Sequence, residues 1–134
     1  MPSESDSEYR HSILIVEDDI DVSNLLAGYF SLAKYRVIKT RSATDCMDKL
    51  KEFDNKIDIV LMNGKIASDR GAMLIVNIKN LSSNIKVFAI ADDENNKTRV
   101  LDYGADEFAT KPISPTTMVE KSTALLMKKP AEAM

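Results

Sequence analysis

The chain has 134 residues, 44% of them hydrophobic and 29% charged, which suits one globular domain with one core. Its net charge is −3 and its pI about 5.2, so electrostatics give no case for binding nucleic acid or an anionic membrane. One Cys and one His exclude an internal disulfide and an ordinary structural zinc site.

In chain order, residues 1–11 (MPSESDSEYRH) are polar and acidic and read as a flexible N-terminal tail, not a signal peptide. Residues 13–16 (ILIV) form a short apolar run, a buried strand. Val22, Leu25, Leu26, Tyr29 and Ala33 follow at helical spacing, with Asp19 placed to cap them. Residues 35–40 (YRVIKT) read as a half-polar strand. Ala43, Cys46, Met47 and Leu50 share one helical face, with Ser42 and Asp45 spaced as a capping box. Residues 57–62 (IDIVLM) are a strand, and Gly71, Leu74, Ile75 and Ile78 are a helical face. Residues 85–91 (IKVFAIA) are a strand, residues 94–103 a weaker helix stopped by Gly104, and residues 106–110 (DEFAT) a short strand. Ser114 caps a last helix that has Pro115 at its first position and runs to about Lys128. The domain therefore spans residues 12–128, with a C-terminal tail at 129–134. No apolar run approaches the roughly 20 residues of a membrane span. A cytoplasmic location is expected.

Five β-α units in succession imply an α/β fold, a parallel sheet with helices on both faces. Strands covered on both faces are continuously apolar, and edge strands less so. The first, third and fourth strands are apolar and the second and fifth polar, which gives a doubly wound five-stranded parallel sheet of order 2-1-3-4-5.

Ligands in such sheets sit beyond the carboxyl ends of the strands, where the order reverses. Glu17, Asp18, Asn63, Gly64, Lys65, Asp92 and Lys111 fall there. Crowded carboxylates favour a hard cation such as Mg²⁺. The competing reading is that the acids after the first strand only cap the first helix.

The motifs at these strand ends resemble those of the response-regulator receiver domain, the CheY-like module of two-component signalling. The segment ILIVEDD resembles its first strand and acidic pair, DIVLMNGKIASDRG its third strand and phosphorylation loop with Gly71, and GADEFATKP its fifth-strand block. The resemblance implies the flavodoxin/CheY-like fold over about residues 12–128. It implies that Glu17, Asp18 and the backbone carbonyl of Lys65 hold Mg²⁺, that Lys111 pairs with the phosphoryl group or its acceptor, and that the bond before Pro112 is cis.

Three positions depart from the family pattern. The phospho-acceptor position is Asn63, and an amide nitrogen with a delocalised lone pair is no useful nucleophile. The Thr or Ser position at the end of the fourth strand is Ala91, and a common proline is replaced by Ala67. The lost charge at Asn63 weakens any Mg²⁺ site. Without a hydroxyl at Ala91, Phe108 at the family's switch position reads as fixed packing, and Lys111 as the counter-charge of Glu17 and Asp18.

The expectation is a standalone atypical receiver that acts by protein–protein contact, without phosphorylation at Asn63 and without enzymatic activity. Its partner is a sensor kinase or downstream effector on the face of the fourth helix, fifth strand and fifth helix. Direct transcriptional control by a DNA-binding domain is not expected of it. Two alternatives stand beside this. One is a conventional Mg²⁺-dependent phospho-receiver in which Asn63 is an engineered change or a deamidatable Asn-Gly pair. The other is a small-molecule sensor on the same scaffold.

Overall fold

In the computed structural model of the chain, residues 9–53, 56–66 and 71–127 are described. Five strands alternate with five helices: β1 (His11–Val16), α1 (Ile20–Leu32), β2 (Tyr35–Thr40), α2 (Ala43–Phe53), β3 (Ile59–Asn63), α3 (Gly71–Leu81), β4 (Lys86–Ala91), α4 (Lys97–Asp102), β5 (Glu107–Thr110) and α5 (Pro115–Met127). The strands are parallel and ordered β2-β1-β3-β4-β5.

Alternate side chains of the central strands enter two separate cores. Leu14, Val16, Val60, Met62, Val87 and Ala89 pack with Cys46 and Leu50 of α2, Leu74, Ile75 and Ile78 of α3, and Val100 of α4. Ile13, Ile15, Ile59, Leu61, Phe88 and Ile90 pack with Leu26 and Phe30 of α1 and Met118 and Leu125 of α5. This double covering is why β1, β3 and β4 are apolar at consecutive positions. The edges β2 and β5 are only partly buried.

The expected caps form. Asp19 Oδ1 accepts from the backbone N–H of Asp21 (2.9 Å) and Val22 (3.1 Å). Ser42 Oγ accepts from Asp45 N (3.1 Å), and Ser114 Oγ from Thr117 N (3.1 Å). Gly104 ends α4 at φ +121°, a conformation open to glycine.

Several boundaries differ from the sequence reading, each for a local reason. β1 begins at His11, inside the expected tail, because His11 and Ser12 pair with Tyr35 and Arg36. β3 begins only at Ile59, since the Asp58 carboxylate takes the Ser12 N–H (2.8 Å) in place of a regular ladder bond. β3 also runs on to Asn63, in register with Ile90. α4 begins at Lys97 instead of residue 94, because Asp93 Oδ1 accepts from Asn95 N (2.8 Å) and holds that stretch in a turn. The expected tails at 1–8 and 129–134, Lys128 and Ala67 lie outside the described residues.

Candidate functional site

The carboxyl ends of β1, β3, β4 and β5 bring Glu17, Asn63, Ala91 and Lys111 to one end of the sheet. The backbone holds them firmly. Glu17 N donates to Thr40 O (3.0 Å), Gly64 N to Ile90 O (3.0 Å) and Lys111 N to Ala91 O (2.9 Å).

Glu17 is the centre of the cluster and only 4% exposed. One of its oxygens accepts from the Asp19 N–H (2.9 Å), and the other accepts from Asn63 Nδ2. Burial raises the Glu17 pKa above the usual carboxylate value. The Asp19 and Asn63 donors pull it back, and the Asp18 carboxylate next door pushes it further up.

The charge on Glu17 fixes the orientation of the Asn63 amide. An N–H must face the carboxylate, because the amide oxygen there would meet like partial charge. Asn63 Oδ1 is then left buried without a hydrogen-bond partner, in a side chain only 1% exposed. Gly64 follows at φ +78°. A Cβ built on it would lie 3.9 Å from Glu17 Oε1 and 3.9 Å from Lys111 Nζ, so the carboxylate and the ammonium both border the space above this glycine.

Lys111 does not make the expected ion pair with Glu17 and Asp18. Its Nζ lies 3.7 Å from Asp92 Oδ1, with both side chains well exposed. The physical reason is solvation: an exposed ammonium keeps its water beside Asp92, whereas neutralising Glu17 would require burying it. Asp18 is exposed, and its carbonyl accepts from Arg41 Nη2 (3.4 Å). The Lys111-Pro112 bond is cis, as the resemblance implied. Ala91 is buried and presents only a methyl group. Phe108 is half-buried and packs on the core shared with α2, α3 and α4.

The donor set partly fits a hard cation. Asn63 Oδ1 is an oxygen with no protein partner, and the exposed Asp18 follows Glu17 in sequence with its carboxylate against that of Glu17. Both Glu17 oxygens already accept N–H groups. No group of three or more His, Cys, Asp or Glu among the described residues is arranged to hold a metal. The sequence reading missed the Glu17–Asn63 bond. A carboxylate and an amide at adjacent strand ends are complementary, so the signal was there. It also treated Asp92 as one more acid, not as the partner of Lys111.

Residues 13–123 match the family described as Response regulator receiver domain. The chain belongs to that family. Such receivers are modules of two-component signalling and work with protein partners such as kinases and effectors. The chain is 28% identical over 117 residues to the aerobic respiration control protein ArcA of Escherichia coli K12, covering 87% of this chain and 48% of ArcA. It is 26% identical over 121 residues to the phosphate regulon transcriptional regulatory protein PhoB of Pseudomonas aeruginosa, covering 87% of this chain and 52% of PhoB. The receiver thus spans about half the length of the curated relatives it matches. Among solved structures, a CheY-like receiver domain protein of Methanospirillum hungatei superposes with a TM-score of 0.77 at 23% identity, over 87% of this chain and 93% of that one. The non-phosphorylated HemR receiver domain of Leptospira biflexa gives 0.78 at 20% identity, over 90% and 98%. These two likenesses establish the shared fold. No helix among the described residues is long and apolar enough to cross a membrane.

Proposed function

We propose that this receiver signals through protein–protein contact, with the phosphorylation cycle silenced at Asn63. The observation that carries the reading is the Asn63 amide, tied through Nδ2 to the Glu17 carboxylate at the acceptor position. An amide offers no nucleophilic oxygen of carboxylate strength, and its nitrogen lone pair is delocalised. Ala91 supplies no hydroxyl to report a phosphoryl group, and Lys111 is occupied at Asp92. The chain has no enzymatic activity of its own in this reading, and acts in the cytoplasm. A bound Mg²⁺ would be held weakly, by Asp18, Asn63 Oδ1 and the Lys65 carbonyl, since both Glu17 oxygens already accept N–H groups. The partner, a sensor kinase or an effector, contacts the face of α4, β5 and α5, where Leu101 and Tyr103 are exposed.

The deamidation route back to an acceptor aspartate is disfavoured on geometric grounds. It needs the Gly64 nitrogen to attack the Asn63 side-chain carbon. That nitrogen is hydrogen-bonded to Ile90 O, and the side chain is buried and held by Glu17.

The test is intact mass after incubation with acetyl phosphate and Mg²⁺, for this protein and for Asn63→Asp. The reading expects no phosphoryl adduct on the native chain. An adduct that maps to the site in the native chain would overturn it.

A further inference from the structure

A surface helix normally shows solvent a polar face. α1 does not. From Val22 to Ala33 it carries no charged residue. Four of the ten large apolar side chains exposed among the described residues lie on it: Ile20, Leu25, Tyr29 and Leu32, the last 84% exposed. Leu25, Tyr29 and Leu32 follow at helical spacing and line an open groove of about 550 Å³ together with Gly28 and the polar Asn24 and Ser31. A Cβ built on Gly28 would meet nothing within 4 Å, so this glycine faces open space and the backbone is bare there.

On α1 itself charge is confined to the two ends of the stripe, and Lys39 of β2 reaches its flank, where Nζ donates to Asn24 Oδ1 (2.6 Å). Asp21 lies in the first turn of α1, and Lys34 lies just past its last residue, both exposed. We propose that a second copy of this chain docks on this face, α1 against α1 in antiparallel orientation, with the two-fold axis passing at Gly28. The position follows from the sequence: the midpoint between Asp21 and Lys34 falls at Ala27 and Gly28. A two-fold there sets each Asp21 against the partner copy's Lys34, so both charged ends are satisfied at once. It also places the bare backbone of Gly28 at the crossing, where two helix axes approach most closely, with Leu25 and Leu32 packing on either side. Two-fold interfaces bring the same patch together from both subunits. An uncharged stripe with opposite charges at its ends pairs with itself without like-charge repulsion, whereas the chain as a whole carries −3.

The test is sedimentation velocity over a concentration series on the full chain, with circular dichroism to check folding. The native protein is expected to dimerise reversibly. Leu32→Glu, at a side chain making little contact with its own core, is expected to weaken dimerisation by about tenfold or more. Asp21→Lys and Lys34→Asp should each weaken it, and the double variant Asp21→Lys/Lys34→Asp should recover most of the loss. A native chain that stays monomeric at every concentration overturns the proposal and leaves the stripe to a different protein. A dimer indifferent to Leu32→Glu uses another face and also overturns it. A dimer that Leu32→Glu disrupts, but that charge reversal leaves unchanged, overturns the antiparallel two-fold.

Discussion

The two ends of the sheet are made from the same kinds of side chain but leave them in different states. At the amino end, Asp106 Oδ2 accepts from Lys79 Nζ (2.8 Å) and from Val87 N (2.8 Å), while Lys79 also donates to Ile85 O (2.7 Å). Asp58 accepts from Ser12 N. The Asp106 charge is matched by a cation at short range, and the Asp58 carboxylate takes a backbone N–H. At the carboxyl end, Glu17 has no ion pair among the described residues, Asn63 Oδ1 is unpartnered, and Lys111 reaches an exposed Asp92 at 3.7 Å. One end fastens the fold, while the other holds polar groups in reserve. Partly satisfied polar groups are costly in a buried place and persist where a ligand or a change of state uses them.

The contrast predicts the largest stability effect far from the candidate site. Lys79→Met should leave the Asp106 carboxylate half-buried without its cation, and should cost about 2 kcal/mol. Urea denaturation reads this directly. A loss no larger than that of Lys111→Ala would mean that the two ends do not differ as described.

Next in size is Asn63→Asp. It removes the donor to Glu17 and sets two carboxylates side by side, which should cost about 1–2 kcal/mol at neutral pH in a chelating buffer. The penalty should shrink in acid, where the pair shares a proton, and shrink again on adding Mg²⁺. Melting temperature with and without the cation separates these cases. A variant as stable as the native chain in chelator would show that the Asn63–Glu17 bond carries no weight.

Much of this site was legible in the sequence, because residues following adjacent parallel strands must meet. Glu17, Asn63, Ala91 and Lys111 were placed together from strand order alone, and strand order came from which strands were apolar throughout. What was not legible depends on choices that periodicity does not encode. Lys111 could reach toward Glu17 or Asp92, and solvation of a long flexible side chain decided it. The start of α4 was set by one Asp93 side chain competing for a backbone N–H, a local bond that a weak helical pattern could not outweigh.

The third effect concerns Glu17 itself. Its folded pKa lies above the ordinary value near 4.5, so folding favours the protonated form. The stability this contributes is fully present below the ordinary value and is lost as pH rises through the raised one. Glu17→Gln carries no such loss. Its side-chain oxygen can accept from Asp19 N, and its amide can donate to Asn63 Oδ1 once the Asn63 amide turns over, which leaves Asn63 Nδ2 as the unpartnered atom in place of Oδ1. The difference in stability between the two proteins should therefore move in the variant's favour as pH rises from acid to neutral, and move back on acidification. Stability curves of the two proteins that stay parallel across pH would show that Glu17 is not the titrating group.

The smallest effect should come from Lys111→Ala. The Lys111–Asp92 pair is long and both partners are well exposed, so its removal should change stability by less than about 0.5 kcal/mol. The informative readout is coupling, not size. Lys111 Nζ and Glu17 Oε1 border the same space above Gly64, and an ammonium there steadies nearby negative charge even without direct contact. In the Asn63→Asp background, which adds a carboxylate to that space, Lys111→Ala should therefore cost more than in the native chain. A double-mutant cycle measures the difference. Strict additivity would mean that Lys111 belongs to Asp92 alone and takes no part in the charge balance of the site.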